Sequence, residues 1–356
     1  MGLPDTAGCG TELGVELIAA QELAGRVAAE SGAQSRYDFW RVVQSGGGRL
    51  RVESTAAALL DAARVGFEGA GVNVECVLLP VAFPADRLAW VQASVAEVRR
   101  EPRHAAEQVT QVLQGETVVP LVHEDGWLLG RVADGYVGWI RDWHLQWVDV
   151  DAVAGFTRRV NARIDANWTC LRAEPSRTAV VVGESILGTP VVTRRDERGW
   201  MEIELPGGRC GWLPVSALRD AAWPWRPQVA EIAATLQRFY GVPYLWGGRS
   251  PKGFDCSGLV QFVFGLHGVL LPRDSDAQAL AGEPVAEPRP GDLVFFGRER
   301  VTHVGVVRLD GAFVHARGEV RYNSLVHGAD LHDAELAALW CGTRRVLGPA
   351  AAPPPA

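Results

Sequence analysis

A thiol at the expected start of a helix is the first group in this sequence that could do chemistry. Cys256 lies in the stretch FDCSG, directly before the apolar run LVQFVFGLHG. If Asp255 opens a helix there, Cys256 occupies its first turn, where free backbone N–H groups and the helix dipole stabilise an anion. The expected result is a lowered thiol pKa and a nucleophilic cysteine. The alternative is a plain buried side chain, since cysteine is among the residues most often buried.

Two histidines further along the chain could serve such a thiol. His303 lies in VTHVGVV and His315 in AFVHARG, and both segments alternate like β-strands. If these strands pair through a short turn near Leu309, the two imidazoles stand opposite each other on one face. A thiol, an imidazole base and a polar group that orients the base form a nucleophilic site. The same three groups could bind zinc, but a fourth ligand is lacking, so no cofactor is expected.

The composition indicates a folded protein of several domains. The chain has 356 residues, of which 47% are apolar and 22% charged. No apolar run approaches the roughly 18 residues that span a bilayer, and the N-terminus lacks a signal-peptide pattern. We therefore expect a cytoplasmic protein without membrane insertion. The net charge of −7, with no basic run, argues against nucleic acid as a partner.

An internal repeat occupies the middle of the chain. Short β-branched runs in both copies predict two small antiparallel β-barrels. Three pairs of dipeptides recur at one offset of 73 residues: Glu101-Pro102 with Glu174-Pro175, Gly126-Trp127 with Gly199-Trp200, and Gly138-Trp139 with Gly211-Trp212. This pattern resembles bacterial SH3-like domains.

The C-terminal block contains the segments FDCSGLVQFVF, RPGDLVFF, THVGVV and FVHARG, in this order. These motifs resemble those of the NlpC-type cell-wall peptidases, which are papain-like cysteine enzymes. It implies that Cys256 is the nucleophile, that His303 is the base, and that His315 orients the base.

The predicted fold class is α+β and multidomain, because an α/β segment, two β-barrels and a papain-like domain are expected in one chain. The expected parts are a small N-terminal α/β segment (1–90), a first SH3-like barrel (91–150), a second SH3-like barrel (163–220), a papain-like peptidase domain (223–348) and a disordered tail (349–356).

Family members with two preceding SH3-like domains resemble this chain over most of its length. They cut between γ-D-glutamate and the diamino acid of cell-wall peptides and require a free N-terminal L-alanine. The resemblance therefore implies a γ-D-glutamyl-L-diamino acid endopeptidase, specific for lysine or diaminopimelate, that acts on peptidoglycan-derived peptides in murein recycling. Two other interpretations stay open, namely a peptidoglycan-binding protein with an inert C-terminal domain and a papain-like amidase or acyltransferase.

Four residues could recognise the amino end of such a peptide. Asp255 and Ser257 flank the nucleophile and could accept hydrogen bonds from an ammonium group, although Asp255 could equally be a helix cap alone. The resemblance implies that a tyrosine and an acidic residue of the first barrel close the pocket. Tyr136 and Glu101 are the candidates, and a purely structural role for Glu101 is an equal alternative.

Four further residues could line the rest of the pocket. By resemblance, Tyr244 would donate a hydrogen bond to the developing oxyanion, with Trp246 as its aromatic neighbour or as a core residue. Arg273 could hold a substrate carboxylate in a bidentate pair, and Asp274 could meet the amino end of the diamino acid. The alternative for the last two is a solvated charge pair.

Overall fold

The fold is known from a computed structural model that divides the chain into two compact units. The first predicted barrel is split between these units, and the predicted tail (349–356) lies outside the described residues. The units are Met1–Leu88 with Val118–Asp142, and Ala89–Thr117 with Trp143–Ala356. The described residues are 9–44, 49–80, 83–220, 224–225 and 227–348.

The first unit opens with a three-stranded sheet covered by two helices. Its strands β2 and β3 run parallel and β1 pairs antiparallel with β2, so this part of the chain combines helices and strands, as expected of an α/β segment. The fully buried Ala24, Val52 and Phe67 lie in the core between sheet and helices. The elements are α1 (Cys9–Glu30), β1 (Trp40–Gln44), β2 (Leu50–Ser54), α2 (Ala57–Gly69) and β3 (Val74–Leu78).

The next part of the chain consists of short antiparallel strands, as the repeat predicts. In the first unit, β8 pairs with β7 and β9 around Leu129 and Trp139. In the second unit, β5 and β6 form a hairpin. The elements are β4 (Arg87–Val91), β5 (Val95–Arg99), β6 (Gln108–Leu113), β7 (Thr117–Glu124), β8 (Trp127–Arg131), β9 (Val137–Arg141), β10 (Leu145–Asp149) and α3 (Val150–Thr157).

The second copy of the repeat forms its own seven-stranded sheet in the second unit. The strand order is β13-β12-β16-β15-β14-β11-β17, around a core that includes Ile164, Leu171 and Ile203. The strands are β11 (Ala162–Ile164), β12 (Trp168–Arg172), β13 (Val181–Ile186), β14 (Pro190–Glu197), β15 (Trp200–Glu204), β16 (Cys210–Pro214) and β17 (Leu218–Asp220).

The C-terminal part is a six-stranded sheet with a buried helix against it. The strand order is β20-β25-β21-β22-β23-β24, and α5 packs on the face that carries Val304, Val306 and Val314. The elements are α4 (Val229–Gln237), β18 (Arg249–Ser250), β19 (Gly253–Phe254), α5 (Cys256–Leu266), α6 (Ser275–Gln278), β20 (Glu283–Pro284), β21 (Leu293–Gly297), β22 (Val301–Val307), β23 (Phe313–Arg317), β24 (Glu319–Asn323), α7 (Ala334–Leu339) and β25 (Trp340–Arg345).

These elements confirm the multidomain α+β class. Within the described ranges, no helix combines the length and the apolar character that a membrane span requires.

The first turn of α5 packs backbone against backbone. A Cβ at Gly258 would lie 2.0 Å from the carbonyl oxygen of Gly248, whereas a Cβ at Gly265, on the same helix, would meet nothing within 4 Å. We expect Gly258→Ala to destabilise the fold by ~1–3 kcal/mol or more through overpacking. Gly265→Ala should be neutral or stabilising by up to ~1 kcal/mol. Urea unfolding of both variants checks this, and equal midpoints would contradict the close approach.

Candidate active site

Cys256 lies at the amino end of α5, as predicted, but in a buried environment. Asp255 is the N-cap, and its Oδ1 accepts from the backbone N–H of Gly258 at 2.7 Å. The Cys256 side chain is only 7% exposed. Burial raises the pKa of the thiol to about 12, although N–H groups of Val304 and Ser257 hydrogen-bond to the sulfur and act in the opposite direction. The prediction of a lowered pKa is therefore wrong for the free protein, since desolvation outweighs the helix end.

Strand β22 passes next to this thiol and pairs with β23. In the described chain, their ladder consists of Val306 with Val314 and Val307 with Phe313. The predicted register is therefore wrong by two residues, because the turn is centred nearer Asp310 than Leu309. A shift of two keeps every side chain on its expected face. The N–H of Val304, in β22, bonds to the Cys256 sulfur.

The two histidines form one hydrogen-bonded pair despite the register error. His303 Nε2 lies 2.7 Å from His315 Nδ1, and the ring centroids are 5.0 Å apart in an edge-on arrangement. His315 Nε2 in turn lies 2.8 Å from Oδ1 of Asn323, a residue that the sequence analysis missed. Its only sequence signal is its position at the end of the strand that follows His315.

Burial keeps both imidazoles neutral. Desolvation lowers the pKa of His303 to about 3, with the neighbouring His315 and Arg317 acting in the same direction. Desolvation also lowers the pKa of His315 to about 4, assisted by Arg321 and Arg317 and opposed by Asn323 and Asp333. The free site therefore holds a neutral thiol and two neutral rings, an arrangement in which His303 can accept a proton.

Arg273 is built into the protein and is not available to a substrate carboxylate. It is 1% exposed, and its Nη1 and Nη2 donate to Oδ1 and Oδ2 of Asp255 at 3.0 and 2.5 Å. Nη1 also donates to Ser257 Oγ at 3.0 Å, and Nε donates to Thr110 Oγ1 at 2.8 Å. This corrects both predictions for Arg273, because the guanidinium is neither solvated nor open. Asp255 and Ser257 flank the thiol as predicted, but both already accept hydrogen bonds from the Arg273 guanidinium.

Tyr244 and Trp246 differ in their surroundings. Tyr244 is half-buried, and burial, reinforced by the nearby Cys256 and Asp255, raises the pKa of its phenol to about 12. Trp246 is 62% exposed, so it is not a core residue. Its Nε1 donates to Glu107 Oε1 at 3.0 Å, and its carbonyl accepts from Gln108 Nε2 at 2.8 Å. Glu107 is a second residue that the sequence analysis missed.

The other three predicted residues have surroundings that do not test their predicted substrate contacts. Glu101 is exposed, and its carboxylate accepts from Arg103 Nε at 2.7 Å, which lowers the pKa of Glu101. Tyr136 belongs to the first unit, where it is buried with its ring edge-on to Tyr37. Asp274 precedes α6 and is half-buried. The substrate contacts of all three stay predictions.

Two segments of the chain match known domain families. Residues 241–332 match the NlpC/P60 family, and residues 98–145 match the bacterial dipeptidyl-peptidase Sh3 domain. The first segment contains Cys256, His303 and His315. The resemblance inferred from the motifs is confirmed.

Similar proteins extend over more of the chain. The gamma-D-glutamyl-L-lysine dipeptidyl-peptidase of Bacillus cereus is 26% identical over 250 residues, which cover 65% of this chain and 74% of that protein. Dipeptidyl-peptidase 6 of Lysinibacillus sphaericus is 29% identical over 277 residues, which cover 70% of this chain and 96% of that protein. A crystal structure of an NlpC/P60 family protein from Bacillus cereus has the same fold, with a TM-score of 0.65 at 22% identity; it covers 73% of this chain and 100% of that one.

The buried Arg273 pair gives a stability prediction. Arg273→Ala leaves the Asp255 carboxylate buried without its cation, which typically costs ~3–5 kcal/mol. Arg103→Ala removes the exposed partner of Glu101 and should change stability little, because solvent screens that pair. Guanidinium unfolding curves of the two variants provide the comparison. A similar small effect for both would show that the Arg273 pair does not hold the helix end.

Proposed function

We propose that this chain, which carries an NlpC/P60 cysteine peptidase domain and a bacterial SH3 domain, hydrolyses the γ-D-glutamyl-L-diamino acid bond of peptides with a free N-terminal L-alanine. The observation that carries the chemistry is a pair of hydrogen-bonded imidazoles, one of which, His303, directly precedes the residue whose N–H bonds to the thiol at the helix start. The substrate class is supported by the names of the two dipeptidyl-peptidase relatives, one of which is named for γ-D-glutamyl-L-lysine.

The proposed reaction starts from neutral groups. His303 accepts the thiol proton as Sγ of Cys256 attacks the carbonyl carbon of the γ-glutamyl amide. The resulting imidazolium then protonates the amino group that leaves with the diamino acid, and the acyl part stays on sulfur as a thioester. His303 then takes a proton from water, and the hydroxide attacks the thioester carbon. The C–S bond breaks, L-Ala-γ-D-Glu leaves as the free acid, and the imidazolium returns its proton to the Cys256 sulfur.

Tyr244 is the proposed donor to the oxyanion. A phenol whose pKa is raised to about 12 keeps its proton at neutral pH, so it can donate a hydrogen bond. The contribution of Cys256 and Asp255 to that shift is consistent with a phenol oxygen close to the reacting sulfur. One such donor is typically worth ~3 kcal/mol of transition-state stabilisation.

Glu107 is the proposed acceptor for the substrate ammonium group. Its carboxylate is about half exposed, and its Oε1 accepts from Nε1 of Trp246, the residue two positions after Tyr244. Its Oε2 lies 3.9 Å from Nε of Arg100, a longer ion pair than the 2.7 Å pair of Glu101 with Arg103. Glu101, the acidic residue favoured by the sequence, is instead paired with Arg103. Ser257 Oγ can add an acceptor, because it accepts one hydrogen bond from Arg273 and retains a second lone pair. Asp255 cannot, since Gly258 and Arg273 donate to its Oδ1 and Gly247 and Arg273 donate to its Oδ2.

The proposed cellular setting is murein peptide recycling in the cytoplasm. A requirement for a free amino end would restrict the enzyme to peptides whose L-alanine carries a free ammonium group.

A defined peptide panel tests the proposed reaction. We expect purified protein to release L-Ala-γ-D-Glu from L-Ala-γ-D-Glu-L-Lys and from its diaminopimelate counterpart, and to leave N-acetylated versions uncut. Cys256→Ala should abolish release without changing the circular dichroism spectrum, because the nucleophile is lost. Mass spectrometry measures the products. Release from acetylated peptides would contradict the requirement for a free amino end. Cleavage by the Cys256→Ala variant would contradict the assignment of Cys256 as the nucleophile.

The two acidic residues give a matched pair of variants. Glu107→Gln should lower kcat/KM for the free-amine peptide by about tenfold or more, because a hydrogen bond to a charged group is worth ~1.5–3 kcal/mol. Glu101→Gln should leave kcat/KM unchanged. Steady-state kinetics on the same peptide compare the variants. A loss of kcat/KM confined to Glu101→Gln would instead indicate that Glu101 accepts from the substrate ammonium group.

A further inference from the structure

We propose that Asn323 is a positioning residue that fixes the tautomer of His303 through His315. This inference rests on the proposed function only in taking His303 as the base. Asn323 ends β24, is 8% exposed, and stands opposite Phe313 in the ladder with β23.

The orientation of the Asn323 amide follows from its surroundings. Its side chain faces the backbone carbonyl of Leu331 on one side, at 3.3 Å, and His315 Nε2 on the other, at 2.8 Å. A carbonyl oxygen can only accept, so the amide nitrogen must face Leu331 and donate to it. Oδ1 is thereby turned towards His315.

The amide orientation then determines the protons on both rings. Because Oδ1 can only accept, His315 Nε2 must carry a proton, and in a neutral imidazole Nδ1 is then bare. This bare Nδ1 accepts from His303 Nε2 across 2.7 Å. His303 Nε2 is therefore protonated, and its Nδ1 is bare and able to accept a proton from a thiol. The opposite tautomer would carry a proton on Nδ1 and could not act as a base there.

The segment behind Asn323 holds the amide in place. The Leu331 carbonyl also accepts from the backbone N–H of Ser324 at 2.7 Å, and the N–H of Asp333 donates to the Ser324 carbonyl at 3.1 Å. The charged groups that influence His315 are Arg317, Arg321 and Asp333. A neutral amide sets the ring orientation without adding a further charge to this group.

Two substitutions separate the tautomer from simple packing. Asn323→Leu keeps a similar volume but removes the acceptor, so kcat should fall by about tenfold or more with KM little changed. Asn323→Asp keeps an acceptor and adds a negative charge, so the tautomers should persist while the imidazole pKa and the acid limb of the pH profile move upward. Glu319→Gln, at an exposed position of the same strand, is the control and should change neither.

Nitrogen-15 NMR of the histidine rings in the unliganded full chain provides a readout that needs no substrate. The wild type and Asn323→Asp should show both His303 and His315 protonated on Nε2, and Asn323→Leu should lose this pattern. Wild-type rings protonated on Nδ1, or an unchanged pattern and kcat in Asn323→Leu, would overturn the proposal. If Asn323→Leu fails to fold, an unmoved imidazole pKa in Asn323→Asp overturns it equally.

The two proposals fail in different ways. If the NMR pattern responds as expected but no γ-D-glutamyl peptide is cut, the substrate assignment fails and the role of Asn323 stands. If the peptides are cut and the tautomers ignore Asn323, the positioning role fails and the peptidase assignment stands.

Discussion

The buried ion pair between Asp255 and Arg273 is the interaction on which the site depends. One carboxylate caps α5 through Gly258, accepts from the N–H of Gly247, and binds both terminal nitrogens of the guanidinium. Removing such a pair from water is costly, and only multiple hydrogen bonds on both partners offset that cost. These bonds fix the direction of α5 and therefore the position of Cys256, whose sulfur lies one residue beyond the cap.

Desolvation of Cys256 and His303 determines how the nucleophile can be activated. With the thiol pKa raised to about 12 and that of His303 lowered to about 3, a preformed thiolate–imidazolium pair is disfavoured in the free protein. Proton transfer is then best coupled to the attack itself, so that neither the thiolate nor the imidazolium has to form in advance. In such a scheme the tautomer of the base matters more than its pKa, because a misplaced proton blocks the transfer entirely.

The sequence predicted those parts of the site whose signals are local. The Asp-Cys-Ser-Gly helix start and the two histidine strands are short patterns, and an error of two residues in the register left both rings on the correct face. The role of Arg273 could not be predicted, because its partner lies 18 residues earlier in the chain and a basic side chain in a loop usually faces water. Glu101 was the predicted acidic residue because it belongs to a dipeptide that recurs in the repeat. Glu107 is not part of a repeated dipeptide, and its contact with Trp246 is visible only in the structure.

Strand β6, in the SH3-like segment, contacts the loop that precedes the nucleophile. Strand β6 donates from Gln108 to the Trp246 carbonyl, and Gln111 accepts from the backbone N–H of Arg249. The backbone also approaches closely, since a Cβ at Gly247 would lie 2.7 Å from the Gln108 carbonyl oxygen. An independent module joined by a linker would have no need to order the loop that precedes the nucleophile. Because Thr110 of the same strand binds Arg273, the segment that would select the amino end also supports the helix that carries the thiol.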